Sequence, residues 1–129
     1  MEKDLIDRTK RFAIDCWTFC GKIPKSREYN AYVNKLIQSS GSVGASYRAS
    51  QRAKSTDDFI HRLKLVEEEA EESVYWLEVF EEVAPEYKEE IELLKNEGNE
   101  LLSIIILVVS INAAKQNKGL KEASFTYRV

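Results

Sequence analysis

A chain of 129 residues with 43% hydrophobic and 32% charged residues has the length and composition of one globular domain. Its formal net charge of −3 excludes a strong overall attraction to nucleic acid or to anionic membranes. It contains only five glycines and two prolines, so long helices are permitted.

The first predicted helix covers residues 3–21. Apolar residues recur at steps of seven, four, three and four, as on one face of a helix: Leu5, Phe12, Cys16, Phe19 and Ile23. Gly21 followed by Pro24 is a common helix exit. Cys16 and Cys20 share a helix face in a geometry unsuited to a disulfide, so we expect both to be reduced core thiols.

The second predicted helix covers residues 26–52, with Ser26 as its N-cap. Its middle, residues 39–46, consists mostly of small residues and includes Gly41 and Gly44, each of which weakens a helix by up to about 1 kcal/mol. A loop is the alternative there. The apolar pattern continues through the segment, and this favours an uninterrupted helix that a neighbour can approach closely.

The third predicted helix covers residues 56–84. Ser55 is its predicted N-cap, and Asp58 three residues later completes a capping-box pattern with a shorter acid. Apolar and small residues then alternate steps of four and three, the pattern of a bundle seam: Phe59, Leu63, Val66, Ala70, Ser73, Leu77, Phe80 and Ala84. Pro85 ends the helix and lies near the first turn of the next one.

The fourth predicted helix covers residues 86–117 and is apolar nearly all round from Leu101 to Ile111. A bundle interior needs only one stripe, formed here by Leu101, Ile105 and Val108. A second apolar stripe lies on a different side of the same helix. It is the predicted contact between subunits, since soluble monomers rarely expose a large apolar patch. It consists of Ile104, Leu107 and Ile111. The alternative cover is the part of the tail from Leu120 to Val129, folding back with Phe125, Tyr127 and Val129.

Four long helices joined by short links predict an all-α fold, an antiparallel up-down-up-down four-helix bundle spanning residues 1–129. The charged segment Met1–Asp4 does not resemble a signal peptide. The most apolar stretch is 11 residues long, whereas a membrane span needs roughly 20. We therefore expect no membrane association and a cytoplasmic protein.

The acidic residues of the third helix raise the question of a metal site. A di-iron bundle places a Glu-x-x-His motif on each of two helices, and a structural zinc site needs four ligands. The sole histidine is His61, and its nearest acid at that spacing is Asp58. No serine or cysteine is marked by a paired base and an orienting acid. The sequence therefore predicts no metal, no cofactor and no catalytic residues.

Charge is segregated along the chain. Residues 22–64 carry nine Lys and Arg against three acids, while residues 66–100 carry two Lys against fourteen acids. A basic patch of candidate nucleic-acid contacts consists of Arg48, Arg52, Lys54 and Arg62. The alternative is that the basic helix neighbours the acidic helices, within or between subunits. We favour this alternative, because acidic helices weaken the field felt by a phosphate backbone.

Two segments resemble the signatures of a known family. Residues 40–47, together with 51–55 and 58–60, resemble the junction of the second and third helices in the four-helix bundle proteins called 23S ribosomal-RNA intervening-sequence proteins. Residues 69–77 resemble the signature on their third helix, and Glu69 and Glu72 match its polar residues. The resemblance implies a non-enzymatic bundle that joins into a ring, usually of five subunits.

The chain departs from that pattern at Ser46, at Ala49–Ser50 and at Glu71, where relatives usually carry Asn, Glu-Ala and Arg. A related group, the accessory proteins of diversity-generating retroelements, resembles basic barrels that bind nucleic acid and a reverse transcriptase. The acidic composition here argues against simple transfer of that activity. The leading hypothesis is a non-enzymatic, self-associating scaffold or adaptor, and the alternative is a nucleic-acid-binding accessory protein.

Overall fold

The computed structural model describes residues 2–117, with side chains from residue 4 onward. Within that range it contains four α-helices and one short 3-10 turn before the last helix. They are α1 (Glu2–Lys22), α2 (Arg27–Ser50), α3 (Thr56–Val83), the turn Pro85–Tyr87, and α4 (Lys88–Asn117). The all-α prediction is confirmed. The predicted tail, residues 118–129, lies outside the described residues.

Hydrogen bonds between α2 and α3 show that these two helices are antiparallel. The hydroxyl of Tyr29 donates to the carbonyl of Val83 at 3.0 Å, and the hydroxyl of Ser73 donates to that of Ser39 at 3.1 Å. Residue numbers thus rise along α2 as they fall along α3. The two serines satisfy each other where the helices touch, which keeps a buried polar pair from destabilising the core.

The other contacts extend the same alternation around the bundle. Lys22 near the end of α1 pairs with Glu90 at the start of α4 at 3.0 Å, while Arg8 near the start of α1 pairs with Glu97 further along α4. Each helix packs against its two neighbours in the order α1, α2, α3, α4, and α4 closes the square against α1. The up-down-up-down arrangement agrees with the short links.

The helix starts follow the predicted capping residues. The side chain of Ser26 accepts from the Tyr29 N–H at 3.0 Å, and the side chain of Ser55 accepts from the Asp58 N–H at 3.0 Å. The carboxylate of Asp58 accepts from the N–H of Lys54, one residue before the N-cap. The reciprocal half of the capping box is therefore displaced by one residue.

The run of small residues in α2 is helical throughout, so the loop alternative is wrong. Gly44 lies against Thr9 of α1, where an added Cβ would stand 3.2 Å from the threonine Oγ1. Ser39 and Ser40 are buried in the same segment. Small side chains here let α1 approach α2 closely, and this contact offsets the weak helix propensity of the glycines.

The predicted seams form the core. The inner residues of α3 and α4, including Leu77, Leu101 and Ile105, are buried. Aromatic rings pack across the bundle, as where Phe19 meets Phe80 edge to face at 5.6 Å between centroids. Cys16 and Cys20 are buried free thiols, as expected.

Candidate self-association and nucleic-acid surfaces

The three residues of the predicted subunit contact differ in exposure. Leu107 is 59% exposed and Ile111 is 39% exposed. Ile104 is half-buried and packs against the core of its own chain. Leu107 and Ile111 are thus available for a contact between subunits, whereas Ile104 packs mainly on the core of its own chain.

Three hydrogen bonds fix the register of α1 against α4. Arg8 holds Glu97 through two hydrogen bonds of 2.8 and 3.0 Å, and it also donates to Glu100 at 2.9 Å. The gradient of exposure on α4 follows from the angle of each side chain about the helix axis, since Leu107 points about 60° further than Ile104 from the buried stripe.

Further apolar side chains are exposed away from this stripe. On the same side of the bundle, Leu93 of α4 is 71% exposed. On the opposite side, α2 and α3 expose Tyr32, Leu65 and Val83, and the ring of Tyr32 lies 5.3 Å from that of the half-buried Trp76. Sequence reasoning missed this second surface, because its residues lie on two helices and form no single stripe.

The basic patch is only partly brought together. Arg48, Arg52 and Lys54 are exposed, and none of them has a carboxylate within ion-pair distance among residues 4–117. Arg62 differs, because its Nε donates to both carboxylate oxygens of Asp58 at 3.0 and 3.1 Å. The Lys54 N–H and the Arg62 guanidinium together lower the pKa of Asp58, so the carboxylate that pairs with Arg62 is ionised at physiological pH.

Arg48 faces α1, and it does not face Arg52, Lys54 or Arg62. With Lys10 it borders a shallow groove of about 280 Å³ between α1 and α2, whose floor includes Gly41, Gly44 and Ala45. Arg62 lies on a different helix, and Arg52 and Lys54 lie at the turn that joins α2 to α3. The four predicted contacts thus do not converge on one surface, and the third and fourth helices beside them are acidic.

The two family-motif acids occupy different environments. Glu69 is half-buried beside α2, where burial raises the pKa of its carboxyl group and a hydrogen bond from the Ser46 side chain opposes that rise. Its Oε1 is buried and has no hydrogen-bond partner among the described residues. Glu72 is exposed and accepts a hydrogen bond from Trp76 Nε1 at 3.0 Å. Glu69 is thus the acid that would gain most from a cation.

The remaining reactive side chains offer little chemistry. Burial raises the pKa of Cys16 and of Cys20 to about 12, so both thiols stay protonated at neutral pH. His61 is exposed on α3. Among the described residues, no three His, Cys, Asp or Glu side chains are grouped so as to hold a metal ion.

The family model described as 23S rRNA-intervening sequence protein matches residues 1–107. The chain belongs to this family. The match runs through α1, α2, α3 and the part of α4 that includes Ile104 and Leu107, and it stops before Ile111. The resemblance inferred from the two sequence signatures is therefore confirmed.

A solved structure from the S23 ribosomal protein family shows the same fold. It is a protein of unknown function from the S23 ribosomal protein family of Bacteroides thetaiotaomicron. The two share 25% sequence identity and a TM-score of 0.75 over 81% of this chain and 97% of that one. No curated protein matches the sequence. The comparisons thus support the family and the fold, and neither of the matching descriptions names an activity.

One helical stretch, Pro85–Asn117, is long and apolar enough to cross a membrane by length and composition alone. The core helix of a soluble protein passes the same test. Here the inner residues of α4, such as Leu101 and Val108, are buried against the other helices. Only 33% of the apolar window is buried, so packing within the bundle accounts for part of that apolar character and leaves the rest exposed.

Proposed function

We propose that this intervening-sequence family protein is a non-enzymatic scaffold or adaptor that works as a homo-oligomer. The observation that carries the proposal is the exposure of Leu107, Ile111 and Leu93 along one side of α4. Each large aliphatic side chain contributes roughly 1.5–3 kcal/mol when it is moved fully from water into an apolar contact. Self-association supplies that contact without another protein.

A ring of five subunits is the preferred assembly, because it is what the family resemblance implies. The contact in such a ring is heterologous, so each copy buries its exposed stripe against a different surface of the next copy. The proposal includes a cytoplasmic location and requires neither a cofactor nor a metal. Because Ile104 is half-buried in its own chain, it contributes less area to the contact between subunits than the exposed Leu107.

Size-exclusion chromatography with light scattering tests the proposal. We expect a mass several times the 14.9 kDa of the chain, with five copies as the best single value. Ile104→Glu combined with Leu107→Glu should dissociate the assembly or make it insoluble. Ser103→Glu combined with Ser110→Glu is the matched control, since it adds the same two charges at neighbouring exposed positions of α4. A monomer at micromolar concentration for the unmutated chain would overturn the proposal.

A nucleic-acid-binding accessory protein is the second candidate. It is favoured by the exposure of Arg48, Arg52 and Lys54 without a neighbouring carboxylate among the described residues. Binding to a phosphate backbone weakens steeply with salt, with a slope that counts the phosphates neutralised. We expect little binding at physiological salt. Tight binding there, abolished by Arg48→Ala with Arg52→Ala, would place this function ahead of the scaffold.

A further inference from the structure

Two opposite sides of the bundle expose apolar side chains. We define the α1/α4 face by Arg11, Leu93, Leu107 and Ile111, and the α2/α3 face by Tyr32, Leu65, Glu69, Glu72, Trp76 and Val83. In the square formed by the four helices, the edge between α1 and α4 lies opposite the edge between α2 and α3. A copy can therefore use both faces at the same time.

The apolar residues of the two faces lie at matching heights along the bundle. A Cβ at Gly98 would stand 2.9 Å from the Cγ2 of Val74, so these two positions are level on antiparallel helices. Leu107 lies nine residues after Gly98, and Leu65 lies nine residues before Val74. Both are thus about 13 Å along the axis from the same reference level, in the same direction.

The second pair of apolar sites matches less closely. Leu93 lies five residues before Gly98, a level that corresponds on α3 to Val79, five residues after Val74. Val79 is half-buried, and the half-buried Trp76 and the exposed Val83 lie about 4 to 6 Å along the axis on either side of it.

A charged site lies between the apolar sites on each face. Arg11 has a 67% exposed side chain, and its contact with Asp15 is a loose 3.8 Å ion pair. The contact of Thr9 with Gly44 and the hydrogen bond of Ser73 to Ser39 place Arg11 level with residue 70 of α3, and the ion pair of Arg8 with Glu97 together with the contact of Gly98 with Val74 places it level with residue 78. The half-buried Glu69 and the exposed Glu72 lie near the first of these levels.

The acids of the α1/α4 face do not cancel this complementarity. Glu97 and Glu100 lie on that face, but Arg8 already holds both through hydrogen bonds of 2.8 to 3.0 Å. Arg11 thus has a longer ion pair within its own chain than Arg8, the other arginine of this face. On the α2/α3 face, Glu69 and the exposed Glu72 can both accept from a guanidinium.

We propose that the α1/α4 face of one copy docks on the α2/α3 face of a second copy. Helix α4 lies over the neighbour's α3 and α1 lies over its α2, so that Leu107 meets Leu65, Leu93 meets the site between Trp76 and Val83, and Arg11 reaches Glu69. The inference rests on the proposed self-association and names the surface that receives the α4 stripe. Each copy uses each face once, and a rotation that closes makes a ring.

Cysteine cross-linking tests this pairing. In the Leu107→Cys/Leu65→Cys variant of the full chain, a short bismaleimide should join each copy to the next and give a ladder of covalent oligomers. The single variants Leu107→Cys and Leu65→Cys should give no ladder, because neither residue contacts the same residue of the neighbouring copy. The unmutated chain is the background control, since its two thiols are buried. Leu107→Cys with Tyr75→Cys is the control for a wrong face, as Tyr75 is equally accessible on the side facing α4.

The outcomes separate the inference from the proposed function. A ladder from Leu107→Cys/Leu65→Cys alone supports the pairing. A covalent dimer from Leu107→Cys alone shows an isologous contact, and an equal ladder from Leu107→Cys/Tyr75→Cys shows another receiving surface; either result overturns the inference and leaves self-association standing. An oligomer by light scattering without any cross-link also overturns it. A monomeric unmutated chain overturns both.

Discussion

A methyl group added at Gly98 tests how closely α4 packs in the bundle. The Cβ of Gly98→Ala would stand 2.9 Å from Val74 Cγ2 and 3.3 Å from Phe12 Cζ. Carbon atoms in contact lie about 3.5–4.0 Å apart, so the first distance requires a shift. Val74 has a stiff β-branched side chain and Phe12 is buried, so neither moves aside easily.

Two opposing effects decide the magnitude. Alanine is favoured over glycine inside a helix by up to about 1 kcal/mol. Overpacking a core costs about 1–3 kcal/mol. We expect Gly98→Ala to lower the free energy of unfolding by up to about 2 kcal/mol. Gly41→Ala is the matched control, since an added Cβ there meets nothing within 4 Å, and it should raise stability by about 0.5–1 kcal/mol.

Urea unfolding followed by far-ultraviolet circular dichroism gives both values, with protein concentration held fixed because assembly contributes to stability. Val74→Ala in the Gly98→Ala background removes Cγ2, so the two changes together should cost less than their sum. Stabilisation by Gly98→Ala equal to that by Gly41→Ala would show that α4 does not approach Val74 and Phe12 so closely.

Leu77→Ala should cost about 2–5 kcal/mol in the same assay, because Leu77 is fully buried in the α3 seam, and a loss below about 0.5 kcal/mol would contradict that placement. Burial raises the pKa of Glu69, so the folded chain holds the proton more tightly than the unfolded chain, and stability should fall as pH rises above the ordinary carboxyl pKa. Glu69→Gln should flatten that fall in the Ile104→Glu/Leu107→Glu background, which removes the subunit contact, and an unchanged pH profile would refute the cause. Cys16 and Cys20 should react with a thiol reagent only after unfolding, and rapid labelling of the native protein would show that they are accessible.

The number, type and order of the helices were predictable from the sequence, because the apolar spacing of each helix is a local property. The N-caps Ser26 and Ser55 were predictable for the same reason, since a cap bonds to an N–H three residues away. The small-residue segment of α2 was the hardest case. Its helix depends on close packing of Gly44 against Thr9 of α1, a contact that propensity alone does not reveal.

The candidate surfaces were predictable only where one helix carries the whole pattern. The stripe Ile104, Leu107 and Ile111 recurs at steps of three and four on α4, so the sequence shows it. The basic patch was grouped by position in the chain, and in the structure Arg48 borders a groove against α1 while Arg62 pairs with Asp58 of its own helix. The α2/α3 face joins Tyr32 to Trp76 across two helices, and no local spacing predicts such a pair.

The gradient of exposure along α4 shows why an apolar residue type does not by itself distinguish core from contact surface. Ile104 and Leu107 lie on one stripe, yet the first is half-buried and the second is 59% exposed. Because three residues turn an α-helix by about 300°, Leu107 points about 60° further than Ile104 from the buried stripe of Leu101, Ile105 and Val108. Leu93 is 71% exposed although it lies beside Asp15 and Thr18 of α1, so the presence of a neighbouring helix does not by itself decide exposure. The angle of a side chain about the α4 axis therefore separates core from exposed surface where apolar composition does not.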